Sequence, residues 1–171
     1  KVDINGKRYP FVDYRSFHPK AKHVKEFADV DVKFFNVFPS GIMTALKNRT
    51  IPYSQYGAVW VGEDEYNWDN LKKQTDVFSE NAPDGYVVLM IHLDPPDWFV
   101  EKYEDVEDTW SCFISGAGSE RWKAAAVRYM KALMEKVEEY MPDRVYAYHM
   151  MGGGTTEWIT RNREDVLNNP T

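Results

Sequence analysis

Residues 86–94, Tyr-Val-Val-Leu-Met-Ile-His-Leu-Asp, are apolar at nearly every position. A strand with one face in water alternates apolar and polar side chains, whereas one buried on both faces need not. The segment therefore predicts a strand in the interior of a sheet covered on both sides. Residues 10–17, 32–39 and 144–151 read as three further strands, each followed by a loop or a helical pattern.

The helices are read from 3.6-residue spacing. Residues 19–28 put Val24, Phe27 and Ala28 on one face, and residues 69–81 align Leu71, Thr75 and Phe78. The longest helix runs from an N-cap at Ser119 to Tyr140, with Trp122, Ala126, Tyr129, Leu133 and Val137 at core spacing before Pro142 stops it. Strands alternating with helices indicate a parallel sheet with flanking helices, an α/β fold. With 171 residues, 43% hydrophobic and no linker or repeat, we expect a single domain spanning residues 1–171.

Two architectures fit that pattern. A doubly wound sheet is complete at this length, whereas a (β/α)8 barrel needs roughly 250 residues and is represented here by its first four β/α units. The loops favour the half barrel. Residues 40–67 and 95–118, which follow strands, are much longer than the segments before strands, and barrel sites are built from the loops after strands.

Composition narrows the partners. A net charge of −6 and a pI near 5.2 argue against nucleic acid and anionic membranes, which reward a basic face. No apolar run approaches the ~20 residues of a membrane span. One cysteine, Cys112, excludes an internal disulfide framework and favours a reducing cytoplasm, while secretion with a signal removed before Lys1 stays open. A neutral substrate is the natural partner, and no cofactor motif is present.

Strand parity collects the polar residues. Leu89, Ile91 and Leu93 share one face of their strand and His92 and Asp94 the other, while Phe35 and Val37 oppose Phe34, Asn36 and Phe38. Asp13 and Arg15 likewise share a side. A barrel would gather Arg15, Asn36, His92 and Asp94 at one mouth, near the loop that carries Thr156, Glu157 and Trp158 after the glycines 152–154. Against this stands the plainer reading in which each satisfies a buried partner at a strand end.

These residues carry a resemblance. Val37-Phe-Pro-Ser40, followed by Gly62-Glu-Asp-Glu-Tyr-Asn-Trp68-Asp-Asn-Leu71, resembles the segment after the second strand in clan A glycoside hydrolases, especially the family 42 β-galactosidases. Ile91-His-Leu-Asp94, the glycine run leading to Glu157-Trp158, and the opening Ile4-Asn-Gly-Lys-Arg-Tyr-Pro10 extend it over most of the chain.

The resemblance implies a retaining mechanism on a β-linked glycoside. Glu157 matches the acid/base glutamate after the fourth strand, and Trp158 offers an apolar ring whose burial effect keeps such an acid protonated. The partner carboxylate of a retaining pair lies ~5–5.5 Å away at the seventh strand. That strand is not in this chain, so the isolated chain is expected to be inactive. Clan members carry Asn immediately before the acid, where this chain has Thr156, a shorter hydroxyl donor. Arg15, Asn36, His92 and Asp94 are expected to bind sugar hydroxyls, with Trp98 and Trp158 as stacking walls.

Of the tryptophans in or beside the segments after strands, Trp60, Trp68, Trp98, Trp110 and Trp158, about three are expected to build local cores rather than bind sugar. Other chemistries are weaker. The 152–156 glycine-threonine run could cradle phosphate but lacks a P-loop lysine. His92, Asp94, His149 and Glu157 could bind zinc or manganese, but no close His pair supports a metal. A non-enzymatic reading also stands: a sugar-binding half barrel, its edge strands open, would associate as a homodimer.

Overall fold

The computed structural model describes residues 1–16, 18–38, 42–43, 51–52, 56–93, 95–104 and 113–151, with backbone alone at 42–43, 51–52 and 113–115. Its centre is a parallel sheet of four strands: β3 (Asp13–Tyr14), β4 (Phe34–Val37), β9 (Tyr86–His92) and β10 (Val145–Met151). They lie in the order β10-β9-β4-β3, so chain order and spatial order agree and the sheet has no reversal. As the apolar run 86–94 predicts, β9 is interior, pairing with β4 on one side and β10 on the other.

Between these strands lie α1 (Ala21–Asp29), α2 (Trp68–Asn81), α3 (Asp97–Lys102), α4 (Phe113–Gly118) and α5 (Glu120–Tyr140). Local chemistry sets their ends. The Asn67 side chain accepts from the Asn70 N–H at 3.1 Å, and the Ser119 hydroxyl accepts from the Trp122 N–H at 3.0 Å, so each satisfies a donor that a first helical turn leaves open. Arg144 closes the other end of α2: its guanidinium donates to the carbonyls of Ala82 (2.6 Å) and Gly85 (2.8 Å). Gly85 has no room for a side chain, since a Cβ there would meet the Phe35 ring at 2.8 Å.

One large core fills the helix side of the sheet. Phe35, Val37, Val87, Leu89 and Ile91 meet Val24 of α1, Leu71 and Phe78 of α2, Phe99 of α3, and Trp122, Tyr129, Leu133 and Val137 of α5. A second, smaller cluster on the opposite face joins Phe38, Val88, Met90 and Met151 with Ala147 packed against it, and no described helix residue belongs to it. The described helices thus cover one face.

Three antiparallel hairpins are additions that strand-helix alternation does not announce. β1 (Val2–Ile4) and β2 (Lys7–Tyr9) turn at Asn5-Gly6, where φ values of 53° and 78° give the twist that two-residue hairpins need. Beneath the sheet, Phe11 packs on Phe34 with centroids 4.9 Å apart. β5 (Ile42–Met43) pairs with β6 (Ile51–Pro52), and β7 (Trp60–Gly62) with β8 (Glu65–Tyr66). Among the described residues, no helix is long and apolar enough to cross a membrane.

Candidate functional site

Of the polar residues expected at one mouth, Arg15, Asn36 and His92 are described and share a face. Tyr14, Phe35, Val37, Leu89 and Ile91 all belong to the helix-side core, so Asp13, Arg15, Asn36 and His92, one residue out of phase, lie on the other side. Along that face the register builds successive rows. Asn36 is level with Val88, which pairs with Ala147; Met90 pairs with His149, and His92 with Met151.

Asn36 is 4% exposed and anchored to the first strand of the sheet. Its amide donates to the Asp13 carboxylate and, at 3.4 Å, to the Tyr14 carbonyl. Asp13, which the sequence pattern puts on the same side as Arg15 without naming it a site residue, is the carboxylate that holds this amide, with buried Tyr14 between it and Arg15. Arg15 is exposed, and its guanidinium carbon sits 5.6 Å from the centre of the buried Phe38 ring. This stacking is a cation–π contact that still leaves the planar fork's donors available.

His92, also 4% exposed, stands at the carboxyl end of β9. Burial penalises its charged form and lowers its pKa to about 4, so it is a neutral imidazole at physiological pH. His92 lies four residues beyond Val88, the register partner of Asn36, a displacement of ~13 Å along the strand direction. Arg15 and Asn36 therefore belong together, while His92 belongs to a separate group with Met90, His149 and Met151. His149 is exposed and Tyr148 faces the helices, its hydroxyl donating to Glu138 at 2.6 Å.

Trp98 occupies a different place. It is half-buried on the helix-side core, edge-on to Trp60 with centroids 5.4 Å apart, and its indole N–H meets no acceptor among the described residues. Trp60 in turn stacks on Tyr129 at 4.7 Å and 11°. Trp68 leans on the same core beside Tyr66. Three of the five tryptophans thus contribute to core packing. Asp94, Thr156, Glu157 and Trp158, like Trp110, lie outside the described residues.

The segment 62–71, which carries the strongest part of the resemblance, has a clear architectural role. Gly62 to Tyr66 make the β7–β8 turn, with Asp64 at φ 55°, and Asn67 caps α2. Glu63 accepts from Lys102 at 2.5 Å and from the Tyr103 hydroxyl at 2.8 Å, which hold its carboxyl below the usual range. Arg128 donates to Asp64 at 2.7 Å. The hairpin is thereby tied to α3 and α5.

Two described clefts lie at the opposite end of the sheet, one of them lined by Lys7, Tyr9, Lys33, Tyr86 and Arg144 at the amino ends of the strands. Among the described residues, no three His, Cys, Asp or Glu side chains gather closely enough to share a metal ion. Comparison with protein-family models, with curated proteins and with solved structures finds no match to this chain.

Proposed function

We propose that the chain supplies the first four β/α units of a (β/α)8 barrel and belongs to a retaining glycoside hydrolase acting on a β-linked, β-galactosidase-like glycoside. The observation that carries this reading is the sheet itself: four parallel strands in unbroken chain order, described helices on one face, polar side chains on the other. A doubly wound sheet reverses its strand order and carries helices on both faces. Arg15 and Asn36 offer a guanidinium fork and an amide in one row, the donor and acceptor types that bind vicinal hydroxyls. Glu157 is assigned as acid/base, with Thr156 and Asp94 as further hydroxyl partners, Trp158 as a stacking ring, and His92 as a neutral hydrogen-bonding group, while Trp98, packed in the helix-side core against Trp60, is left out of the sugar site.

The test is saccharide binding to the purified chain by calorimetry, using β-galactosides first, followed by Arg15→Ala, Asn36→Ala and Glu157→Gln. Binding without appreciable turnover, weakened about tenfold or more by Arg15→Ala or Asn36→Ala, is expected. Unchanged affinity in both variants would remove these residues from the site. Robust hydrolysis of an aryl β-galactoside, lost in Glu157→Gln, would show the four units to be active alone and overturn the fragment reading.

A second reading, a non-catalytic half barrel that binds sugar or pairs with itself, is favoured by the sheet edges. Phe27, 43% exposed, packs on Tyr14 of β3, and Tyr146 is 41% exposed on β10. Met90 and Met151, by contrast, are each only 1% exposed, so association would use the edges rather than the face. Sedimentation equilibrium distinguishes a dimer from a monomer directly.

A further inference from the structure

Four side chains on the face away from the helices form a square that spacing along the sequence does not announce. Parallel register sets His149 beside Met90 and Met151 beside His92. Residues two apart on a strand share a face, so all four project to the same side. Met90 and Met151 belong to the cluster that contains no described helix residue, which identifies that side. Paired strands are ~4.8 Å apart, and same-face neighbours along one strand are ~6.6 Å apart. Each thioether has an imidazole neighbour across the ladder and another along its own strand. Flexible methionine side chains and two imidazole rings can close on a common point across such spans.

We propose that Met90, His92, His149 and Met151 form a binding site for one Cu(I) ion, held by two thioethers and two imidazoles. The donor set selects the ion. Thioether sulfur is soft and neutral and discriminates against zinc, manganese and magnesium, whereas Cu(I) accepts both sulfur and imidazole. Among the described residues no three His, Cys, Asp or Glu side chains gather on this face, so the donors that the described residues offer there are neutral thioethers and imidazoles. A single positive charge is also the easiest to bury among neutral donors. Met90, His92 and Met151 are 1%, 4% and 1% exposed, which shields a bound ion from water, and exposed His149 provides the route in.

The site is independent of the saccharide reading and shares only His92 with it. The full chain, kept anaerobic and reduced, is titrated with Cu(I) against the chromophoric chelator bicinchoninate, with Ag(I) as a redox-inert check. One equivalent per chain is expected, with sulfur and nitrogen scatterers in the copper K-edge spectrum. The Met90→Leu/Met151→Leu double variant keeps volume and folding, monitored by circular dichroism. It should lose more than about tenfold in affinity, as should His149→Ala, whose side chain is exposed and contributes little to the core. His18→Ala/His23→Ala on the distant α1 region should change nothing, and neither should Arg15→Ala or Asn36→Ala, which address sugar binding. Failure to retain Cu(I), unchanged affinity in both ligand variants, or a spectrum without sulfur would overturn the proposal.

Discussion

The two faces of the central sheet are built by opposite rules. The face toward the helices is aliphatic and aromatic, and each strand residue on it meets a helix residue placed by 3.6-residue spacing. The other face buries Asn36 and His92 among Phe38, Val88, Met90 and Met151. Burying an amide or an imidazole costs free energy unless a partner repays it, so polar residues persist at such positions where they anchor structure or bind something. The first face holds the larger apolar core, and the second is where polar side chains are buried.

The sharpest way to break this contrast is on the helix face. Leu133 is fully buried in α5, so Leu133→Ala should cost about 2–5 kcal/mol in urea denaturation through lost transfer energy and the cavity left behind. A cost under about 1 kcal/mol would mean that this face is not the stabilising one.

On the polar face, His92 makes stability depend on pH in metal-free buffer. Its folded pKa of about 4 lies below the 6.5 of an unfolded histidine, so between those values the unfolded chain binds the extra proton. The stability conferred by the neutral ring is full above pH 6.5 and declines as pH falls toward 4, by roughly 3 kcal/mol at most. His92→Gln should remove that part of the slope, and parallel denaturation curves from pH 7 to 4 for both proteins check it.

Asn36→Ala should cost roughly 1–2 kcal/mol, because the amide's bonds to Asp13 and Tyr14 are lost at a buried position. A larger loss in Asp13→Ala than in Asn36→Ala would reverse the order of dependence, since Asp13 is the exposed partner. The smallest effect is expected from Met90→Leu, below about 1.5 kcal/mol, because volume is conserved. Together with a strong loss of Cu(I), that outcome would separate the function of the second face from the stability of the first.

Much of the fold is legible in the residues. The four parallel strands, the Ser119 cap, the stop at Pro142 and the in-out parity of β4 and β9 all follow from patterns over a few residues. The β1–β2 hairpin is equally readable from Asn5-Gly6, a dipeptide that supplies the positive φ its turn needs. Less legible is which aromatic rings face solvent. Trp98 follows a strand, as a binding platform would, yet it turns into the helix-side core because Trp60 of β7 offers it a surface. That contact joins residues 38 positions apart, beyond the reach of any local pattern.

By itself the sequence determined the helix-side core, because apolar spacing along each element is a local property that burial then exploits. Only the tertiary structure decided what occupies the opposite face of β10. Val145 pairs with Val87 and Ala147 with Val88, so Tyr146 is an extra residue in the ladder, a bulge. Without it, His149 and Met151 would turn toward the helices and Tyr148 and Met150 away from them. Side-chain direction in a strand has a period of two, so a single inserted residue reverses every position beyond it. Whether that insertion is accommodated is settled by pairing with β9, not by the residues of β10 alone.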